Sequence, residues 1–248
     1  MRQNSYLEAE GFPPPRQVFP IGSFELSVLA GEHSFLADNR DAIADNWRAE
    51  YAANPNLFDG RMVFQRRLSF RDGHIAGEAH LTPFSAYLYW RRAQRMAGGL
   101  HLFGLPVVLS SDGALISVRM AETTANPGRV YCAAGSLDEH DIVEGRCDLA
   151  SNMRREVLEE TGLDLAEAEA DARYFATHDD NTVTIFRTYR FDLTADALLD
   201  RIAAHVASET EPEISGALAI RTADPHAHPY AFFMLPILDW LFDPQGES

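Results

Sequence analysis

The segment "DLASNMRREVLEETG", which begins at Asp148, constrains the fold most because it has the marks of an amphipathic helix with a defined start and end. Asp148 is a typical N-cap residue. Leu149, Met153 and Val157 follow at positions i, i+4 and i+8 and form an apolar stripe. Gly162 can adopt the left-handed conformation that ends a helix. The pattern predicts a helix that buries one side against a sheet.

The other side of this helix is charged. Glu156, Glu159 and Glu160 are surface neighbours, since residues three and four apart lie on one helix face. Their carboxylates repel one another by roughly a few tenths of a kcal/mol per pair unless a cation lies among them. Arg155 lies one turn before Glu159 and can pair with it. A hard divalent cation such as Mg²⁺ prefers oxygen ligands, so the row is a candidate metal site, although such rows are more often solvated helix faces.

The charge balance argues against long nucleic acid as a partner. Against 21 Lys and Arg there are 37 Asp and Glu, a net charge of −16, which repels a phosphate backbone. A cation held by carboxylates can invert the local field, so an anionic small molecule is compatible with this charge. The only two cysteines, Cys132 and Cys147, form no disulfide framework or zinc pattern and favour a reducing, cytoplasmic setting. Without a signal-peptide pattern or membrane-length apolar run, we expect a soluble protein with no membrane partner.

Strand and helix patterns alternate along the rest of the chain, which predicts a sheet covered by helices rather than a bundle or an all-β sandwich. The 248 residues suffice for one large or two small domains. The predicted strands are QVFPIGSFELSVLAG (broken by a turn), RMVFQRRLSF, HIAGEAHLTPF, HLFGLPVVLS, ALISVRM, RVYCAAG, ARYFATH, TVTIFRTYRFDL and SGALAIRT. The other predicted helices are DNRDAIADNWRAEYAANP, PFSAYLYWRRAQRMAGG, ADALLDRIAAHVA and PYAFFMLPILDWLF.

The sequence "REVLEETGL", residues 155–163, resembles the second half of the signature of the Nudix hydrolases. That signature runs Gly, five residues, Glu, seven residues, then Arg-Glu-aliphatic-any-Glu-Glu-any-Gly-aliphatic, and every specified position of the second half agrees. The resemblance implies Mg²⁺ or Mn²⁺ as cofactor, with Glu156, Glu159 and Glu160 as ligands and Arg155 orienting them. It also implies attack of water on a diphosphate attached to another moiety, with the metal neutralising phosphate charge and activating the nucleophile.

The first half of the signature departs from the family pattern. Counting back from Arg155, the family Glu falls on Cys147 and the family Gly on Asp141. By context, the counterpart of that Gly is Gly135 in "AAGSL", which lies six residues further upstream. This predicts an insertion in the loop before the helix. Glu144 is a candidate replacement for the missing Glu, and Gly135 is predicted to contact substrate.

By resemblance, the fold class is α+β: a Nudix-type α/β/α sandwich with a mixed sheet in residues 98–248, preceded by an α+β extension in residues 1–97 that serves substrate recognition. The segment "AIADNWRAEYAANPNLFDG" is similar to the corresponding region of the UDP-glucose diphosphatase-like branch, through Trp47 and the turn at 54–60. This implies a UDP-sugar that is split into UMP and a sugar 1-phosphate. Packing of a helix on a hairpin accounts for Trp47 equally well.

Three further residues are candidates for the site. Tyr87 and Arg91 would offer a ring face for a base and a guanidinium for phosphate, although aromatic residues on helices are more often core. Nudix enzymes often recruit an acidic residue from a later loop as ligand or base, and Glu213 in "SETEPEIS" is our choice for that role. His226 and His228 lack a third ligand nearby, which favours a polar loop over zinc.

The function predicted from these residues is a hydrolase that cleaves a small-molecule nucleoside diphosphate derivative, with Arg155, Glu156, Glu159, Glu160 and Glu213 as its catalytic residues. Two alternatives stay open: a hydrolase of ADP-ribose or coenzyme A type substrates, and a non-catalytic nucleotide-binding module, which would suit the altered first half of the signature. A homodimer is also left open.

Overall fold

The computed structural model describes residues 6–93, 95 and 98–243, and within these the protein has the predicted α+β class. The described helices are α1 (Tyr6–Ala9), α2 (Ser34–Asp38), α3 (Arg40–Ala53), α4 (Phe84–Arg92), α5 (Leu149–Thr161), α6 (Ala195–Ser208) and α7 (Leu235–Phe242). The described strands are β1 (Phe19–Ile21), β2 (Ser23–Val28), β3 (Arg61–Arg71), β4 (His74–Pro83), β5 (His101–Leu109), β6 (Leu115–Met120), β7 (Val130–Tyr131), β8 (Ile142–Val143), β9 (Arg146–Cys147), β10 (Glu169–Ala170), β11 (Tyr174–Asp179), β12 (Thr182–Arg190) and β13 (Ile214–Ile220). Short 3-10 helices lie at Glu139–Asp141, Leu165–Glu167 and Phe232–Met234.

The larger sheet is mixed, as predicted, and carries the glutamate helix. Its strands follow the order β1-β11-β12-β5-β6-β13, with β10 on β12 and β7 on β6. The pair β12 and β5 is parallel, and the other pairs are antiparallel. Every residue of β5 is buried, as expected for a strand with neighbours on both edges and cover on both faces.

Helices cover opposite faces of this sheet. On one face, Gly104 of β5 leaves room for Met153 of α5, because a Cβ at residue 104 would crowd the Met153 methyl group. Ile185 pairs with Gly104 in register, and the next residue, Phe186, points to the other face because side chains alternate along a strand. There Trp240 of α7 packs on Phe186 with ring centroids 5.3 Å apart. The glutamate helix is thus fixed against the central strand.

The smaller sheet joins residues from both sides of the predicted division at residues 97 and 98. Its order is β3-β4-β2-β9-β8, so strands from before the division pair with the β8–β9 hairpin just ahead of α5. Strand β1 also pairs with β11 in the larger sheet, and buried residues of both segments share one hydrophobic core. Ala97 itself lies outside the described residues, as do 1–5 and 244–248. The two-domain division stays a prediction.

Two predicted elements are shorter than expected. Helix α4 ends at Arg92 instead of at Gly98, because Ala93 leaves the helix and Arg95 has a left-handed φ of 50°. The predicted strand RVYCAAG is reduced to β7, since β5 already occupies the same edge of β6 at Leu115 and Ile116. Within the described residues, no helix has the combination of length and apolarity needed to cross a membrane.

Candidate active site

The helix that carries the glutamates begins and ends as its sequence predicts. The Asp148 carboxylate accepts hydrogen bonds from the backbone N–H of Ser151 (2.9 Å) and from the Ser151 hydroxyl (2.7 Å). Gly162 has a φ of 68°, and its N–H donates to the carbonyl of Leu158 at 2.9 Å. A side chain at 162 would also collide with the ring of His205. These two ends set the helical register, and with it the direction of each glutamate.

The three helix glutamates and Glu213 lie around one cavity of about 190 Å³. The loop before β13 brings Glu213 there, where its carbonyl accepts a hydrogen bond from the N–H of Ala121 at 2.9 Å. The residues that line the cavity are Glu156, Glu159, Glu160, Glu209, Glu211, Pro212 and Glu213. The cavity therefore presents carboxylates almost exclusively.

Glu160 is the buried member of this group. It is 8% exposed, and its Oε2 has no hydrogen-bond partner. Burial raises its pKa well above the ordinary value, and the nearby carboxylates of Glu156 and Glu213 raise it further. A buried carboxylate with an unpartnered oxygen is costly unless a positive charge compensates it.

Glu156 lies beside it and is also largely buried. Burial raises its pKa to about 7; Arg155 opposes this, while Glu159 and Asp141 add to it. A Cβ at residue 135 would overlap the Glu156 carboxylate, so Gly135 is the residue type that leaves room for this side chain. The structure thus places Gly135 against a predicted ligand, while its predicted contact with substrate stays a prediction.

Arg155 lies among the acidic groups, as its implied orienting role requires. Its Nη1 is 2.8 Å from Oε1 of Glu156 and 3.3 Å from Oε2 of Glu159. Its Nη2 is 3.0 Å from Oδ2 of Asp141. Partial burial acts against the charge, but Glu156 and Asp141 outweigh it and raise the pKa of the guanidinium. Arg155 therefore remains cationic and holds two of the three glutamates.

Asp141 is the site residue that the sequence did not reveal. It occupies the position that counting assigns to the family Gly, and the structure shows it as a buried partner of Arg155. The suggested replacement, Glu144, is wrong, because it lies exposed in the β8–β9 turn with a φ of 50°. The hairpin of β8 and β9 lies between Asp141 and α5; that it is the insertion expected in this loop stays a prediction.

The carboxylates are not preassembled as a ligand set. Among the described residues, no three His, Cys, Asp or Glu side chains are grouped closely enough to hold a metal ion, even though the three glutamates share a cavity. The reason is visible in the contacts, since Glu156 and Glu159 both turn toward Arg155. The all-oxygen donor set and the unpartnered Glu160 oxygen nevertheless fit a hard divalent cation. Binding one would require these side chains to rotate.

Tyr87 and Arg91 do not line the acidic cavity. Tyr87 is 9% exposed and packs against Trp90, as the core interpretation expects. Arg91 donates to the side chain of Asn126 at 2.8 Å and to the carbonyl of Ala125 at 2.9 Å. It therefore anchors the loop after β6. Contact of either residue with substrate stays a prediction.

Comparison with known proteins gives only distant likenesses. No family model matches the chain, and no curated protein matches it. Among solved structures it is similar to DR0079 from Deinococcus radiodurans, with 13% identity and a TM-score of 0.40 over 57% of this chain and 83% of that one. It is also similar to a MutT protein from Methanosarcina mazei, with 11% identity and a TM-score of 0.39 over 60% and 96% of the two chains. A third is RenU, a Nudix hydrolase from M. smegmatis, with 11% identity and a TM-score of 0.37 over 59% and 85%. Similarity at this level assigns no activity or substrate to this chain.

Proposed function

We propose that the protein is a metal-dependent hydrolase of the Nudix type that cleaves the diphosphate of a nucleoside diphosphate linked to another moiety. One observation carries the proposal: Glu160 is buried with an unpartnered oxygen beside a cavity that Glu156 and Glu213 share. A solvated helix face would leave this carboxylate in water. A buried acidic group next to a cavity is instead what a bound cation stabilises.

The residues take the following roles in this proposal. Glu156, Glu159 and Glu160 would hold Mg²⁺ or Mn²⁺, which when bound supplies charge neutralisation at the phosphates and activation of water. Arg155 orients Glu156 and Glu159. Glu213, which also lines the cavity, serves as a further ligand or as the general base that takes a proton from water.

The proposed substrate is a UDP-sugar, cleaved to UMP and a sugar 1-phosphate. Its support is the resemblance of the segment around Trp47 and of the turn at 54–60 to the UDP-glucose diphosphatase-like branch. Trp47 is only half buried and packs on Tyr51 with ring centroids 6.0 Å apart, and Phe58 in the turn is 82% exposed. Such exposed rings are available to a ligand. ADP-ribose and coenzyme A type substrates are the alternative that the experiment below separates.

We also propose that the protein works in the reducing environment of the cytoplasm. Its proposed partner is a small molecule, not a nucleic acid or a membrane, and whether it forms a homodimer is left to measurement. Both cysteines are free. Burial raises the pKa of each thiol to about 12. Inert thiols of this kind support a structural role and agree with a compartment in which disulfides are rare.

A second candidate is a non-catalytic nucleotide-binding module. The observation in its favour is that no three metal-binding side chains among the described residues form a ready ligand group. In that case nucleotide would bind without metal and without turnover.

The test is a ³¹P NMR screen of UDP-glucose, ADP-ribose and coenzyme A with Mg²⁺ and with chelator. We expect Mg²⁺-dependent release of UMP from UDP-glucose. Its rate should be at least about 100-fold lower in Glu160→Gln, because replacing residues that only orient metal ligands already lowers activity about 10- to 100-fold. Glu144→Gln is the matched control, because it makes the same change in an exposed turn. Nucleotide binding by calorimetry without metal, together with no turnover of any compound, would favour the non-catalytic module.

A further inference from the structure

The phenol of Tyr131, in β7, is a buried polar group close to the candidate active site. The residue is 5% exposed. Burial raises its pKa, and Glu160 is the charged residue that raises it most, so the phenol stays protonated. Four residues further along the chain, Gly135 lies against the Glu156 carboxylate. The segment that begins with Tyr131 therefore runs past the glutamates, although Tyr131 itself does not line the acidic cavity.

Two neighbours fix the direction of hydrogen bonding at this hydroxyl. Nη1 of Arg91 donates to Oδ1 of Asn126 at 2.8 Å. Because a guanidinium has only donors, the amide of Asn126 must turn its oxygen to Arg91 and its NH₂ group to Tyr131. Nδ2 of Asn126 lies 3.2 Å from the Tyr131 hydroxyl oxygen, which therefore accepts this bond. The phenolic proton is left to point elsewhere.

That proton has no acceptor among the residues that the structure describes. The bond from Asn126 is the one hydrogen bond that the Tyr131 hydroxyl makes with them. Nearby, Oε2 of Glu160 is also without a partner. A buried hydroxyl whose proton finds no acceptor costs free energy, which a partner with acceptor oxygens would recover. The phenol is thus a free donor beside an acidic group that is itself incomplete.

The loop after β6 connects this donor to the rest of the candidate site. Besides Asn126, Arg91 of α4 holds the carbonyl of Ala125 in this loop, to which its Nη2 donates at 2.9 Å. At the start of the loop, the N–H of Ala121 donates to the carbonyl of Glu213 at 2.9 Å. One loop therefore fixes the Tyr131 hydroxyl and also supports Glu213.

We infer that the phenol of Tyr131 donates a hydrogen bond to a phosphate oxygen of the bound diphosphate, and that Asn126 and Arg91 are positioning residues that turn its proton to the substrate. The inference rests on the proposed function. A diphosphate is rich in acceptor oxygens, and the residues that line the cavity are carboxylates and one proline, which offer it no side-chain donor when ionised. A neutral donor next to Glu160 supplies what the carboxylates lack.

The test compares Tyr131→Phe with the unaltered full chain by calorimetry, with methylenediphosphonate as the probe at saturating Mg²⁺. This compound mimics a diphosphate and is not hydrolysed. We expect Tyr131→Phe to weaken its binding about 10- to 100-fold, the usual effect of losing a hydrogen bond to a charged group. Mn²⁺ affinity, measured by EPR titration without the probe, should be kept. Tyr189→Phe is the matched control, because Tyr189 is 4% exposed and its hydroxyl contacts Sδ of Met153 at 3.9 Å; both affinities should stay unchanged.

Asn126→Asp tests the positioning role. An aspartate keeps the contact with Arg91 but offers Tyr131 an acceptor instead of a donor, so the phenolic proton should turn away from the substrate. We expect the same loss of methylenediphosphonate affinity as in Tyr131→Phe. Combining the two changes should cause no further loss, because both remove the same hydrogen bond.

Other results would overturn the inference. Unchanged methylenediphosphonate affinity in Tyr131→Phe would mean that solvent accepts the proton, and it would leave the proposed function intact. Equal losses of probe and Mn²⁺ affinity would place the effect of the phenol on the metal site instead. Unaltered affinity for the probe in Asn126→Asp would also contradict the inference, and this variant decides the matter if Tyr131→Phe does not fold. A chain that binds Mn²⁺ but not the probe defeats the inference alone, whereas a chain that binds no Mn²⁺ defeats the proposed function with it.

Discussion

The carboxylate of Glu160 combines burial with an oxygen that has no partner, so it weakens the metal-free fold. Replacing Glu160 with Gln keeps the shape and removes the charge. We expect the metal-free variant to melt higher than the unaltered chain, by about 2–4 °C for each kcal/mol relieved. Saturating Mn²⁺ should raise the melting temperature of the unaltered chain only, since a ligand at 100 times its Kd stabilises by about 2.7 kcal/mol. Differential scanning fluorimetry measures both. A variant that melts lower without metal would contradict the burial argument.

Gly135 gives a second prediction at this scale. A methyl group there would overlap the Glu156 carboxylate, so Gly135→Ala should displace this side chain and weaken Mn²⁺ binding about 10- to 100-fold. The crowding should also cost about 1–3 kcal/mol of unfolding free energy. Gly22→Ala is the control, because a Cβ at Gly22 meets only the carbonyl of Gly73 at 3.7 Å. Isothermal calorimetry with Mn²⁺ compares the two variants, and equal affinities would show that Gly135 does not seat Glu156.

At the scale of elements, the glutamate helix depends on its cap. Asp148→Ala removes the acceptor for the N–H of Ser151 and should lower the free energy of unfolding by about 1 kcal/mol. Asp148→Asn keeps a side-chain oxygen at the cap and should retain most of that stability. Urea unfolding should show a lower midpoint with an unchanged slope. Alanine and asparagine variants of equal stability would mean that the cap contributes nothing measurable.

The elements that the sequence predicts well are those with their own internal signals. Helix α5 has a cap, an apolar stripe and a terminal glycine, and its core-facing Leu149, Met153 and Val157 are fully buried as predicted. The end of α4 and the length of β7 depend on partners elsewhere in the chain, namely the contacts of Arg95 and the edge of β6 that β5 already occupies. Local patterns carry no information about such neighbours.

The candidate site also combines features that local sequence patterns predict with features that depend on distant parts of the chain. The helical spacing of the glutamates and the position of Arg155 are local, so their convergence could be predicted. Asp141 reaches Arg155 across the β8–β9 hairpin, and a count of residues back from Arg155 passes through that hairpin before it reaches Asp141. The available signal was Gly135, because Asp141 follows it after five residues, the spacing at which the signature Glu follows its Gly.

For the molecule as a whole, His101 predicts how stability depends on pH. It is 6% exposed and stacks on Phe103 with ring centroids 5.1 Å apart. Burial lowers its pKa to about 3, and Arg95 and Arg91 act in the same direction. The folded protein therefore keeps this ring neutral as the pH falls below about 6.5, whereas the unfolded chain takes up a proton, and stability is lost.

Between pH 7 and pH 5 this loss should be about 2 kcal/mol, and His101→Gln should remove it. Urea unfolding at both pH values measures the difference between the variant and the unaltered chain. The pKa values of His33 and His178 are also lowered by burial, so both residues add to the pH dependence. Their contributions are the same in the variant and in the unaltered chain, and the difference between the two therefore reports His101 alone. His226→Gln, at an exposed position, should leave the pH dependence as it is. If His101→Gln loses as much stability between pH 7 and pH 5 as the unaltered chain does, the ring is protonated in the folded state too, which contradicts the prediction.

Anomalous X-ray diffraction from crystals grown with Mn²⁺ tests the proposed metal site most directly. We expect a peak in the cavity among Glu156, Glu160 and Glu213, within bonding distance of the Glu160 oxygen that has no protein partner. The same peak should be missing from crystals of Glu160→Gln. An empty cavity at saturating Mn²⁺, with Glu156 still paired to Arg155, would contradict the proposal that this protein is a metal-dependent hydrolase.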